Sequence, residues 1–195
     1  MRFWGWLLMT STLAAGALGG QEPGAASREA MRKLAFLEGE WEGEASIQGP
    51  GGHRQLRQTE SVRYSNSGHV LVVQGTGWEK GADGAERLAF NAVAVIAHDP
   101  QAGYRMRSYT MEGRSGDFEL TLSDSGFVWG FDTPDGRVRY TMQITPQGEW
   151  REVGEFSRGG APGRPFIEMV VRKKRYTSPN RRGGRRSGLS GPGRL

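Results

Sequence analysis

From Trp41 to Arg175 apolar and polar side chains alternate with a period of two, and clusters of Gly, Pro, Asn and Asp break the run at regular intervals. A two-residue period places alternate side chains on opposite faces of an extended strand. The rhythm is clearest in Phe118, Leu120 and Leu122 against Asp117, Glu119 and Thr121. It recurs in Val138, Tyr140, Met142 and Ile144 against Arg137, Arg139, Thr141 and Gln143. Strands are predicted at 41–48, 54–64, 69–79, 86–98, 103–111, 114–122, 126–132, 136–145, 148–157 and 164–175, about ten in all, separated by turn signals such as Asn66-Ser67-Gly68 and Pro134-Asp135-Gly136. Turns this short join sequential antiparallel hairpins, whereas a two-sheet sandwich needs long crossovers. Left flat, such a sheet has two exposed edges, and closure removes both. The expected fold is all-β, an up-and-down antiparallel barrel of about ten strands with one short N-terminal helix. A barrel of that strand number has a lumen wider than side chains readily fill, so a ligand cavity is expected.

The helix is read just ahead of the strands. Ser27 is placed as its cap, Met31, Leu34, Ala35 and Leu37 supply an apolar face at helical spacing, and Gly39 ends it.

The formal net charge of +5 conceals an asymmetry. Residues 172–195 hold nine Lys or Arg and no acid, and the first twenty residues add only Arg2, which leaves sixteen bases against all twenty-one acids in between. The high pI therefore reports a mildly acidic body with a basic tail, and says nothing of a basic binding face. Residues 1–20 read as a signal peptide: Arg2, an apolar stretch from Phe3 to Leu18, then small residues at Ala15, Gly16, Ala17, Gly19 and Gly20. Residues 21–26 follow as a linker, 27–175 as the barrel domain and 176–195 as a disordered basic tail, too poor in apolar residues to offset the entropy of ordering. The chain has no cysteine, which suits an exported, periplasmic or extracellular protein and excludes disulfides, zinc-thiolate sites and thiol nucleophiles. The tail has no aromatics among its arginines for base stacking, so the expected partner is no nucleic acid but, at most, a weak contact with anionic envelope surfaces.

The stretch Leu34-Ala35-Phe36-Leu37-Glu38-Gly39-Glu40-Trp41-Glu42-Gly43-Glu44 resembles the opening of lipocalin-like calycins, with its Gly-x-Trp element where a short helix meets the first strand. Together with Tyr104-Arg105-Met106-Arg107-Ser108-Tyr109, Gly116-Asp117-Phe118-Glu119-Leu120 and Trp150-Arg151-Glu152-Val153-Gly154-Glu155, it is similar to an uncharacterised family of secreted bacterial proteins. The resemblance covers roughly residues 30–175 and implies a calycin-type barrel with no established activity. It also implies structural roles for Gly39 and Trp41, with Trp41 packed at the closed end against a basic residue of a late strand, for which Arg172 is the candidate. Nitrobindin, a haem-binding barrel, is a more distant similarity. Its haem ligand is a histidine late in the chain, and here no histidine follows His98, so no cofactor is expected.

No catalytic motif stands out. A Gly-x-Ser-x-Gly elbow before a helix and the nucleotide-binding glycine loops are absent, and the glycines of 49–52 and 75–77 read as a turn and a strand kink. His98-Asp99 is read as turn capping, since two residues make no metal site. Glu40, Glu42 and Glu44 share a face, and three like charges are easiest to hold in water, which turns Gly39, Trp41, Gly43 and Ala45 inward. The candidate ligand-binding set is aromatic and basic: Met106, Arg107, Tyr109, Trp129, Arg139, Tyr140 and Trp150. An inward Arg would grip an anionic head while Trp and Met line the apolar end. Alternation equally sends Arg105, Arg107, Arg137 and Arg139 outward as cross-strand partners of Asp and Glu, and Glu152, Glu155 and Glu168 pose the same question. The expected function is binding of a small, partly apolar ligand without catalysis; the alternatives are a lumen-based isomerase or hydrolase and an envelope module acting through the tail.

Overall fold

The computed structural model describes residues 24–175 of the 195-residue chain. Helix α1 (Ala25–Arg32) and a 3-10 turn at Ala35–Leu37 lead into ten strands: β1 (Gly39–Gly49), β2 (Gly52–Ser65), β3 (Val70–Lys80), β4 (Glu86–Asp99), β5 (Gly103–Thr110), β6 (Ser115–Ser123), β7 (Gly126–Thr133), β8 (Gly136–Ile144), β9 (Glu149–Ser157) and β10 (Arg164–Lys173). Each strand pairs antiparallel with the next. The circle closes where β1 meets β10, from Trp41 opposite Lys173 to Ile47 opposite Ile167. Every predicted strand is present within a few residues of its expected ends. The proposed signal peptide, residues 21–23 of the expected linker and the tail at 176–195 lie outside the described residues, and Ala25 and Ala26, expected in the linker, belong to α1.

Alternation sorts the two faces. Glu40, Glu42 and Glu44 do face outward and find partners there: Arg63 beside Glu40, Lys174 beside Glu42 and the Gln55 amide donating to Glu44. Arg57–Glu86, Arg105–Glu119, Arg107–Asp117 and Arg151–Glu168 continue this cross-strand charge ladder around the wall, whereas Arg54–Glu79 stands near the strand ends in step with the inward residues Leu56 and Gly77. Exposed pairs of this kind add little stability each, but they fix which face of each strand meets water.

Helix α1 starts earlier than its sequence signal. Gly24 takes the cap position in a left-handed conformation, so Ser27 sits inside the helix and its hydroxyl donates to the carbonyl of His98. A tertiary contact to β4 has displaced the local cap. The helix also stops at Arg32, and a 3-10 turn covers the distance to Gly39. The segment closes one end of the barrel. Met31, Leu34 and Leu37 are fully buried there, a burial worth about 1.5–3 kcal/mol for each side chain. Carbonyls at the helix end accept from the amides of Lys33 and Leu34 and also from the barrel: Tyr104 donates to Ala30 O at 2.7 Å and Tyr64 to Met31 O at 2.5 Å. Above this plug Trp41, Val62, Leu71, Ile96, Leu120, Phe127, Met142, Trp150 and Val171 make a solid core.

Trp41 is buried, and the basic residue beside it is not Arg172 but Lys173, one residue further on. The Lys173 ammonium lies 5.0 Å from the indole centroid, whereas Arg172 points outward to Glu149. With a period of two, adjacent residues face opposite ways, and only Lys173 is in register with Trp41. Gly39 is needed for the same reason. A Cβ there would come within 2.9 Å of Lys173 Cε, and its φ of +132° is one that other residues rarely adopt.

Candidate functional site

The half of the barrel away from α1 is built differently. On β3, β4 and β5 the inward residues include the small Gly75, Gly77, Ala92, Ala94 and Ser108 beside Phe90, while Phe118, Trp129, Tyr140 and Phe166 lie on β6, β7, β8 and β10. Trp129 and Tyr140 stack face to face, with centroids 4.2 Å apart and planes 5° from parallel. Phe118 leans on Trp129 and Phe166 meets Tyr140 edge-on. Phe118, Trp129 and Tyr140 keep accessible surface although the closed wall surrounds them, and Phe131 is more exposed still.

Two carboxyl groups project into this interior. Glu60, on β2, is 6% exposed, and Gln58 beside it donates from its amide to Glu60 Oε1 at 2.7 Å. Both side chains lie across the glycines of β3. A Cβ at Gly75 would stand 2.8 Å from Glu60 Oε1, and one at Gly77 would stand 2.7 Å from Gln58 Oε1. The sequence marks those glycines as a strand kink, and the register does shift between Gly77 and Trp78. Their further role is to give the polar pair a seat.

Glu152, on β9, accepts from two indoles, Trp129 Nε1 at 3.2 Å and Trp150 Nε1 at 3.3 Å. Trp150 in turn meets Trp41 edge-on at 5.7 Å, and Trp41 sits in register opposite Glu60. The two carboxyls thus share a floor of tryptophans. None of the described lysines or arginines is buried, so neither carboxyl has a cationic partner inside. Burial pushes Glu60 up to about 8; the Gln58 hydrogen bond works against this and the charge of Glu152 adds to it. Burial raises Glu152 as well, with the two indole donors opposing. Tyr140 is pushed up to about 12 by burial and by Glu152. On the outer face the direction reverses: a hydrogen bond from Lys174 holds Glu42 below the ordinary carboxylate range, and one from Arg57 does so for Glu86.

Of the residues singled out in the sequence, Met106, Trp129, Tyr140 and Trp150 face the lumen. Arg107, Tyr109 and Arg139 do not. Arg107 pairs with Asp117 and donates to Tyr109 Oη at 2.7 Å on the outer wall, and Arg139 is exposed opposite Glu155. Their apolar neighbours Met106, Val138 and Tyr140 claim the inner face, and the strand period sends the arginines out. Glu168 is likewise outside, bound to Arg151, so Glu152 alone of the three uncertain glutamates enters the lumen. Turn capping near His98 falls to Asp99, whose Oδ1 accepts from the amides of Gln101 and Ala102 at 2.7 and 2.8 Å, while His98 packs edge-on against Tyr104. Gln58 and Glu60 escaped the sequence reading. The signal was present in Leu56-x-Gln58-x-Glu60-x-Val62-x-Tyr64, two polar residues at period two on an otherwise apolar face.

No family model matches the chain, and no curated protein matches it. Among solved structures, the crystal structure of Rv2717c from M. tuberculosis is similar, with a TM-score of 0.54 and 12% identity over 75% of this chain and 98% of that one. At that identity the likeness is one of fold: this chain is a closed ten-stranded antiparallel barrel with a structural neighbour of the same architecture.

Proposed function

We propose that this protein is an exported barrel that binds a small, partly apolar molecule in its lumen. The observation that carries this reading is the aromatic wall of Phe118, Trp129 and Tyr140, enclosed by the barrel yet retaining accessible surface opposite Gly75, Ala92 and Ala94. Large flat apolar faces beside a few buried polar groups are the usual lining of a small-molecule pocket. Export rests on the composition of residues 1–20, and the basic residues of 172–195 would add a weak hold on anionic envelope surfaces. Native mass spectrometry of protein purified from its own compartment tests the binding reading. A retained small-molecule mass, released on unfolding, is expected. A ligand-free protein that also excludes a neutral apolar dye such as Nile red overturns it.

A second reading has one observation in its favour. Glu60 and Glu152 differ in their hydrogen-bond donors and both titrate above the usual range, the condition in which a carboxyl group serves as a general acid near neutral pH. Turnover of a bound ligand that is lost in Glu60→Gln, with its binding retained, would select this enzyme reading over the carrier.

A further inference from the structure

We infer that the lumen ligand is a protonated organic amine, its ammonium seated between the carboxyls of Glu60 and Glu152 and its apolar body against the Trp129–Tyr140 stack. This rests on the lumen-binding reading above and narrows it to one ligand class.

The argument begins with what the interior lacks. Two acidic side chains come in from β2 and β9, and no lysine or arginine is buried among the described residues. A buried carboxylate without a cation is costly, and a cationic ligand removes that cost where a neutral one leaves it. Acceptor capacity is also left over. Among the described residues Glu60 accepts one side-chain hydrogen bond, at Oε1, and Glu152 accepts two long ones from indoles, at 3.2 and 3.3 Å. An ammonium offers up to three donors to such acceptors.

The surroundings are chosen accordingly. Trp41, Trp129, Tyr140 and Trp150 present aromatic surfaces around the pair, and aromatic faces attract cations as well as apolar bodies. Gly75 and Gly77 hold Glu60 and Gln58 in place by leaving no Cβ in their path, so the polar pair has a built seat. Competing classes fit less well. An anion would face two acids without a base. A hard divalent cation takes six or more oxygens, and among the described residues no group of three metal-binding side chains gathers.

Isothermal titration calorimetry with octylamine, 1-octanol and octanoate separates these classes, since the three are eight-carbon chains that differ in the head group. At pH 8 octylamine is expected to bind at least tenfold more tightly than octanol, with octanoate weakest. Glu60→Gln and Glu152→Gln should each shrink the amine preference below threefold and leave octanol binding unchanged. Wild-type protein gives a reading independent of variant folding. The titratable groups facing Glu60 across the lumen are Glu152 from β9 and Tyr140 from β8, while Trp41 on β1 and Gly75 on β3 do not titrate. Amine uptake at pH 7 should therefore release protons, seen as a dependence of the measured heat on the ionisation enthalpy of the buffer. Equal affinity for octanol and octylamine, or amine uptake without proton release, overturns the amine assignment and leaves lumen binding standing. Exclusion of all three compounds and of Nile red removes lumen binding itself.

Discussion

Replacing Glu60 by Gln should stabilise this protein, and the gain should depend on pH. In the folded barrel Glu60 titrates near 8, against an ordinary value of 4.5. Below the ordinary value the carboxyl is protonated in both folded and unfolded chains, and pH makes no difference to their balance. Above it the unfolded chain loses its proton while the folded one keeps it, so stability falls as pH rises, until the folded group also ionises near 8. Each pH unit in that window is worth about 1.4 kcal/mol, which gives a loss of roughly 3 kcal/mol by pH 7 and about 5 kcal/mol above pH 8. Gln has nearly the shape of a protonated Glu, retains an acceptor for the Gln58 amide and never ionises. Glu60→Gln should therefore match wild type at pH 4 and exceed it progressively from pH 5 to 8. For a chain of this length the difference at pH 7 corresponds to a rise of roughly 6–12 °C in Tm. Thermal unfolding of both proteins, followed by near-UV circular dichroism at intervals from pH 4 to 9, reads this directly. A constant difference across that range, or a less stable variant at pH 8, would refute the idea that Glu60 is held protonated by burial.

Four further outcomes follow from the geometry. Gly75→Ala should cost about 1–3 kcal/mol in urea unfolding, because its Cβ would stand 2.8 Å from Glu60 Oε1, and Glu60→Ala should rescue most of that loss in the double variant. Trp150→Phe removes a donor to Glu152 and should destabilise by about 1–3 kcal/mol while raising the Glu152 titration further, visible as a steeper loss of stability above pH 5. Lys173→Met should alter Trp41 fluorescence, whereas Arg172→Met should leave it unchanged, since only Lys173 lies over the indole. Arg107→Ala and Arg139→Ala should leave uptake of any lumen ligand within twofold of wild type by calorimetry, as both side chains stand on the outer wall.

The strands were legible because alternation and turn chemistry are local. A hairpin such as Gly126–Thr133 with Gly136–Ile144 is specified by residues within a few positions of one another, and closure follows from the need to cover two edges. The outward run of Glu40, Glu42 and Glu44 was legible for the same reason. Local signals failed where a distant contact competed with them. Ser27 left its cap role for the carbonyl of His98 on β4, and Lys173 took the place expected of Arg172 because register with Trp41, set across β1 and β10, decides which side chain faces in.

By itself the sequence determined the number of strands, their order and the wet face of most of them, since each depends on neighbours a few residues away. Only the tertiary structure decided which polar residues lie inside. Glu60 and Glu152 belong to strands far apart in the chain, and their seats are made by Gly75 and Gly77 on one neighbour and by the indoles of Trp129 and Trp150 on others. Burial, missing countercharge and aromatic surroundings are properties of that assembled interior, and they give the two carboxyls a chemistry that Glu42 and Glu86, on the outer wall of the same barrel, do not have.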